Sequence, residues 1–182
     1  MISCGRESLE AIRGIYNHEI LHTTALYEYE PRSVAAMEAW FAAKEAADLP
    51  VLGVEVDGIL AGFATWGPFR SYPAYVHTAE HSVYVDRAFR RRGVARALVQ
   101  AVIDRATERG LHVLVGGIDA TNAPSIALHG SLGFTHAGTV REAGWKFGRW
   151  LDLEFWQRIL AREPCAPCPT PAAVRIPGGT RG

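Results

Sequence analysis

A single mixed α/β sandwich is what this sequence predicts, and three observations predict it. Two apolar runs, Val51 to Val56 and Ile59 to Trp66, flank Asp57-Gly58, and Asp-Gly between such runs is a strong hairpin turn. Further on, a strand-like stretch ending at Val85 leads into a helix-like one with Ala95, Leu98, Val99, Val102, Ile103 and Ala106 on one face. The chain has 182 residues, 48% of them apolar, which suits one domain with a full core.

Taken in order, Ile2-Ser3-Cys4 supplies only a strand stub. Leu9, Ile12, Ile15, Tyr16 and Ile20 follow helical spacing, so residues 8 to 20 read as a first helix with Ser8 as its N-cap. The alanine-rich stretch from Ser33 to Ala47 reads as a second, anchored by Trp40 and Phe41. After the hairpin, Gly67-Pro68 and Pro73 mark residues 67 to 78 as a loop. A strand over Glu80 to Val85 precedes a helix from Ala95 to Arg109, and Leu111 to Val115 is a short buried strand. Asn122 to Leu132 reads as a helix ended by Gly133. Thr135 to Arg141 and Trp145 to Trp156 read as extended, with Trp150 and Trp156 as packing residues.

The domain therefore spans residues 1 to 162. Residues 163 to 182 carry Glu-Pro-Cys-Ala-Pro-Cys-Pro-Thr-Pro and end in Gly-Gly-Thr-Arg-Gly, a composition read as a disordered tail. Its Cys165-x-x-Cys168 has a spacing found in zinc and redox pairs, but no second ligand pair is near and the histidines are scattered. No metal is expected. Basic and acidic residues balance at 19 each, which argues against bulk nucleic-acid or membrane-surface binding. No apolar run reaches a membrane span, the N-terminus lacks signal-peptide regions, and three cysteines make no disulfide framework. The chain reads as cytoplasmic.

Three motifs carry chemistry. Arg90-Arg-Arg-Gly-Val-Ala95 lies at a strand-to-helix junction, where free N–H groups of a first helical turn and the helix dipole favour a pyrophosphate. Taken alone, it fits a basic solvated helix start equally well. In Thr78 to Val85, alternation puts Glu80, Ser82 and Tyr84 on one face and His81, Val83 and Val85 on the other. Glu80 reads as a carboxylate in reach of a bound thioester, or as an exposed strand-end acid. Asn122, Ser125 and His129 lie at i, i+3 and i+7, one helix face offering an amide, a hydroxyl and an imidazole; an N-capping Asn122 with a surface histidine is the plainer reading.

The segments IYNHEI (15 to 20), TTALYE (23 to 28), GPFRSY (67 to 72), EHSVYV (80 to 85), RRRGVARAL (90 to 98), NAPSIALHGSLGF (122 to 134) and KFGRWLDL (146 to 153) occur in order. Together they resemble the GNAT N-acetyltransferase family, in its phosphinothricin and methionine sulfoximine acetyltransferase branch. The resemblance implies a central, mostly antiparallel twisted sheet flanked by helices. It implies acetyl-CoA as acetyl donor, with its pyrophosphate at Arg91, Arg92, Gly93, Val94, Ala95 and Arg96. The pantetheine arm would pair with Val83, Tyr84 and Val85, near Asn122 and Ser125. The acceptor side would comprise Arg70, Ser71 and Tyr72 with Glu80, His81 and Ser82, an arginine there suiting an α-carboxylate.

The reaction implied is acetylation of the α-amino group of methionine sulfoximine, methionine sulfone or phosphinothricin. Glu80 would accept the ammonium proton. His129 would either donate to the leaving thiolate or only pack beside the pantetheine, packing being the favoured reading, and Tyr84 is another candidate donor. A homodimer is expected of this branch. The alternatives are an acetyltransferase with another acceptor (a protein N-terminus, a polyamine or another amine) and a non-catalytic acetyl-CoA-binding module.

Overall fold

The computed structural model describes residues 1 to 160. The expectations for the C-terminal tail and for Cys165 and Cys168 lie outside the described residues. One seven-stranded sheet runs in the order β1-β2-β3-β4-β5-β7-β6. The strands are β1 (Ile2–Ser3), β2 (Val51–Val56), β3 (Ile59–Pro68), β4 (Thr78–Val85), β5 (Val113–Asp119), β6 (Thr135–Lys146) and β7 (Arg149–Ile159). Every neighbouring pair is antiparallel except β4 with β5. That single parallel pair needs a crossover, and helix α3 (Val94–Glu108) supplies it.

β3 is buried from Leu60 through Trp66 because helices cover both faces of the sheet. On one face, Leu98, Val99 and Val102 of α3 pack against Ala61, Ala64 and Leu114, and Phe134 closes this cluster. On the other, α1 (Leu9–His22) and α2 (Val34–Ala46) bring Ile12, Ile15, Tyr16, Met37 and Phe41 onto Leu60 and Phe63. Each fully buried side chain of this size contributes roughly 1.5–3 kcal/mol. The remaining helix, α4 (Ala123–Ser131), is capped by Asn122, whose side chain accepts from Ser125 N at 3.2 Å.

The hairpin turn lies at Asp57-Gly58, both at positive φ, 53° and 76°, as a tight two-residue turn requires. Several local expectations differ from the structure. Ser8 precedes α1 without capping it through its side chain, because Arg6–Ser8 already forms a short helical turn; Ser33 does cap α2, accepting from Ala36 N. β3 and β4 extend into the expected loop, as far as Pro68 and from Thr78. β5 begins two residues later than expected and runs on through Gly116-Gly117 to Asp119. The stretch between Val140 and Gly144, which reads as a break, is a register shift within β6. The true turn is Phe147-Gly148, with φ of 51° and 73°. Trp150 is exposed beside Trp145, whereas Trp156 packs against the core.

Candidate active site

The site begins where the sheet comes apart. β4 and β5 stay in register only from Thr78↔Val113 to His81↔Gly116, although the strands continue to Val85 and Asp119. β5 meanwhile remains paired to β7 along its whole length, and β4 to β3. The two strands therefore splay, and the β5-facing edge of Ser82 to Val85 is left outside the ladder. Val83 and Tyr84 line one wall of the resulting cleft, Gly116 to Asp119 the other, and Asn122, Ser125 and His129 of the α4 segment close its end. An unladdered strand edge is a row of backbone donors and acceptors ready for an extended, amide-bearing ligand.

Beyond Val85 the chain turns through Arg90 to Gly93 into α3. Arg91 and Gly93 take positive φ, 61° and 81°. No side chain caps the helix, so its first N–H groups stay available and the dipole favours an anion there. Arg90 does not point to this nest; it pairs with Glu19, a buried carboxylate that also accepts from the Thr23 hydroxyl at 2.9 Å. Arg92 lies over the Phe89 ring, and Arg96 donates to Ser131 Oγ at 2.8 Å.

Glu80 lies half-buried on the face that α1 and α2 cover. Burial pushes its carboxyl above the ordinary range, and Arg70 partly opposes this. Arg70 itself lies over the Phe69 ring and donates to the Phe69 carbonyl at 2.8 Å. Ser71 and Tyr72 stay on the exposed loop, Tyr72 at 71% exposure. Tyr84 packs its ring against Tyr16 and Phe63, and burial drives its phenol far upward.

His81, expected on the acceptor side, lies on the opposite face with His129. Its Nδ1 is 2.9 Å from the Val115 carbonyl and its Nε2 is 3.0 Å from His129 Nε2. His129 Nδ1 is 2.8 Å from the Ser125 carbonyl and 3.4 Å from the Ser125 hydroxyl. Three contacts on two rings, two of them to carbonyls that only accept, call for three ring N–H groups, while a neutral pair has two. Burial lowers both imidazoles, His81 to about 3, and the pair rests neutral. One contact must then yield. His129 is the ring with an alternative, since the Ser125 hydroxyl can donate to its Nδ1. Gly116 makes room for the pair: a Cβ there would stand 3.1 Å from the His81 ring and 3.4 Å from His129 Nε2.

Four features escape sequence reading. The Gly116-Gly117 step reads as a strand end, yet it shapes the cleft. Asp119 is buried in the cleft wall, Tyr27 descends from the α1–α2 connection onto Gly144, and buried Lys146 donates to the carbonyls of Thr23 and Leu26. Only the glycine pair offered a local signal.

Comparison with known proteins agrees with this geometry. Residues 14–134 match the family model described as the acetyltransferase (GNAT) family. The chain is 44% identical over 150 residues to the L-methionine sulfoximine/L-methionine sulfone acetyltransferase of Salmonella typhimurium, covering 82% of this chain and 88% of that one. The crystal structure of an N-acetyltransferase from Staphylococcus aureus superposes with a TM-score of 0.87 at 44% identity, over 88% of this chain and 97% of that one. A GNAT superfamily phosphinothricin acetyltransferase from Sinorhizobium meliloti, solved in complex with acetyl-CoA, gives 0.86 at 31% identity, over 96% and 94%. A splayed parallel strand pair, an uncapped helix after a basic glycine loop and these matches lead to one conclusion: the chain belongs to the acetyltransferase (GNAT) family.

Proposed function

We propose that the chain moves the acetyl group of acetyl-CoA to the α-amino group of a small amino acid such as L-methionine sulfoximine, L-methionine sulfone or phosphinothricin. The observation that carries this reading is the cleft itself. Its unladdered β4 edge leads to the uncapped start of α3 at one end and lies beside Glu80 at the other. The residues suit the donor: backbone N–H groups of Arg91 to Arg96 for its pyrophosphate, the Val83 to Val85 edge for its amide-bearing arm, and Asn122 and Ser125 alongside.

An amino acid arrives as its ammonium, which has no lone pair for attack. Glu80, whose raised carboxyl makes it a better proton acceptor than an ordinary surface acid, takes that proton. The amine nitrogen bonds to the thioester carbon, a backbone N–H near Val83 holds the oxyanion, and the carbon–sulfur bond breaks with its electron pair on sulfur. As the nitrogen becomes an amide it sheds its second proton, which passes to the departing thiolate. Of the two candidate donors we assign His129, a neutral ring, to a hydrogen bond on that sulfur and leave Tyr84 to packing. Arg70 recruits the acceptor's carboxylate and tempers Glu80.

We also assign the chain to the cytoplasm as a homodimer, its interface on the exposed aromatic hairpin of Trp145, Phe147 and Trp150. Light scattering behind size exclusion tests that assembly, a monomer at working concentration refuting it. The activity is tested by coenzyme A release from acetyl-CoA with L-methionine sulfoximine, L-methionine sulfone, phosphinothricin and plain L-methionine. Fast turnover of the first three with methionine poor is expected. Silence with all four, alongside measurable acetyl-CoA binding, refutes the acceptor.

A further inference from the structure

Two carboxylates face the acceptor side of the sheet, and only Glu80 has so far been given a role. Glu80 pairs with Val115, and alternate residues of a strand share a face, so β5 presents Val115, Gly117 and Asp119 on the same side. Gly117 leaves a gap there. A Cβ at that position would stand 3.1 Å from Glu80 Oε1, 3.5 Å from Leu153 and 4.0 Å from Phe155. The gap is thus bounded by one carboxylate and two apolar side chains, with Asp119 at the next same-face position.

Asp119 is 4% exposed. Its Oδ1 accepts from Thr121 N at 2.8 Å and from the Thr121 hydroxyl, which turns the chain toward the Asn122 cap. Its Oδ2 is buried and has no hydrogen-bond partner among the described residues, and the same holds for the Tyr27 hydroxyl. The two lie in each other's field: burial, then the charges of Asp119 and Asp152, push the Tyr27 phenol up to about 12. No ion pair among the described residues includes Asp119, and the buried cation of β6, Lys146, is committed to the Thr23 and Leu26 carbonyls. A buried carboxylate oxygen with neither donor nor cation is costly, and what would relieve it is a positively charged donor.

We propose that Asp119 Oδ2 and the Tyr27 hydroxyl form the ammonium-binding part of the acceptor site, a protonated primary amine bridging them over Gly117. This rests on the amine-acetylating role assigned above. The stoichiometry is complementary. A primary ammonium of an amino acid carries three N–H donors, and three oxygens are assigned to them: Asp119 Oδ2 and Tyr27 Oη, both buried without a partner among the described residues, and Glu80 Oε1, which borders the gap. The first two hold the nitrogen; the third takes the proton that must leave before attack. Asp119 is thereby a binding residue and Glu80 the base, which separates recognition of the amine from its deprotonation.

Asp119→Asn tests this sharply, because its Oδ1 can still accept from Thr121 and only the unpartnered oxygen is replaced, by an N–H donor facing another donor. Tyr27→Phe keeps the ring on Gly144 and removes the hydroxyl. KM for L-methionine sulfone and for acetyl-CoA is measured for both variants, and ethylammonium chloride is titrated into each free protein by NMR. Asp119→Asn is expected to raise the acceptor KM and the ethylammonium Kd at least about tenfold, the loss of one charge-assisted contact, with the acetyl-CoA KM within about twofold. Tyr27→Phe is expected to weaken both by roughly threefold. Acceptor KM and ethylammonium Kd unchanged in both variants would overturn the proposal, as would no ethylammonium binding by the wild-type protein. A wild-type protein that acetylates no amino acid but binds ethylammonium, and loses it on Asp119→Asn, would refute the acceptor reading and leave the ammonium site standing.

Discussion

Gly117→Ala isolates the chemistry of the cleft from the stability of the fold. Gly117 does not sit at positive φ, so alanine is conformationally free to replace it, and stiffening the unfolded chain stabilises by about 0.4–1 kcal/mol. Two of the three neighbours of the new methyl, Leu153 at 3.5 Å and Phe155 at 4.0 Å, are ordinary contacts. The third is Glu80 Oε1 at 3.1 Å, which must retreat by a few tenths of an ångström. Misplacing a reacting group by about 1 Å costs on the order of a hundredfold. If the logarithm of the rate scales with displacement, about 0.3 Å costs roughly fourfold. The expected variant melts about 1–4 °C higher than wild type, turns over roughly three- to tenfold more slowly, and binds acetyl-CoA normally. Gly14→Ala is the matching control: its Cβ meets nothing within 4 Å, and in mid-helix it should stabilise by roughly 0.5–1 kcal/mol without touching turnover. Thiol release with a coloured disulfide reagent and a thermal melt read both variants. A Gly117→Ala protein that melts higher and keeps its wild-type kcat refutes the placement of the reacting amine beside Glu80.

Three further outcomes follow from particular contacts. Burial holds the Glu80 carboxyl above its ordinary range, so the folded chain keeps that proton to higher pH than the unfolded one. Its contribution to stability is full below the unfolded value near 4.3 and is lost as pH rises through the folded value. Glu80→Gln should therefore melt above wild type at neutral pH, with the gap closing toward pH ~4, while losing turnover; a gap that widens on acidification contradicts the assignment. Lys146→Met leaves the Thr23 and Leu26 carbonyls without their donor and should cost about 1–3 kcal/mol. Faster hydrogen exchange across residues 23 to 30 checks it, and unchanged protection there argues against a tether. Gly62→Ala would put a Cβ 2.7 Å from the Tyr84 carbonyl oxygen and 3.1 Å from Val85 Cα, atoms of the neighbouring strand that cannot swing aside. Denaturant unfolding should show a loss of about 1–3 kcal/mol or more, and a loss under about 0.5 kcal/mol would mean that the β3–β4 pair is more pliant than its register implies.

The parts of the fold legible in the sequence were those set by short-range rules. Asp57-Gly58 determines its turn by chirality alone, and α3 shows its buried face at helical spacing because α3 covers a sheet that is already there. Reading failed where a residue's meaning depends on a strand far along the chain. Gly116-Gly117 breaks strand propensity and so reads as an end, yet pairing with β7 carries β5 through it. Trp150 reads as core by composition, but β6 and β7 end the sheet and leave it exposed. The same limit applied to the site. The alternation of Glu80 and His81 was visible, and so was the face shared by Asn122, Ser125 and His129. That His81 would turn toward His129, 48 residues away, was not, because nothing near His81 in sequence marks its partner.

The departures from local rules cluster where the cleft is. A parallel strand pair that opens after His81↔Gly116 gives up ladder bonds that an ordinary sheet would keep, and each unmade backbone bond is costly unless something fills the edge. Gly116 and Gly117 give up strand propensity and thereby admit the His81–His129 pair on one face and leave the space beside Glu80 on the other. Arg91 takes a positive φ that a non-glycine residue seldom adopts, just before a helix that starts without a cap. Asp119 keeps a buried oxygen unpaired. None of these four favours folding by itself, and the proposed reading gives each a ligand group that would relieve it: amides along the edge, an acyl thioester beside the glycines, a pyrophosphate at the helix start, an ammonium at Asp119. A chain shaped by packing alone would have no reason to place all four around one opening. Binding acetyl-CoA should consequently stabilise the protein by more than its first-turn phosphate contacts supply, and a donor truncated to the nucleotide alone should recover only part of the rise in melting temperature. Equal stabilisation by both would show that the β4 edge contributes nothing to holding the donor.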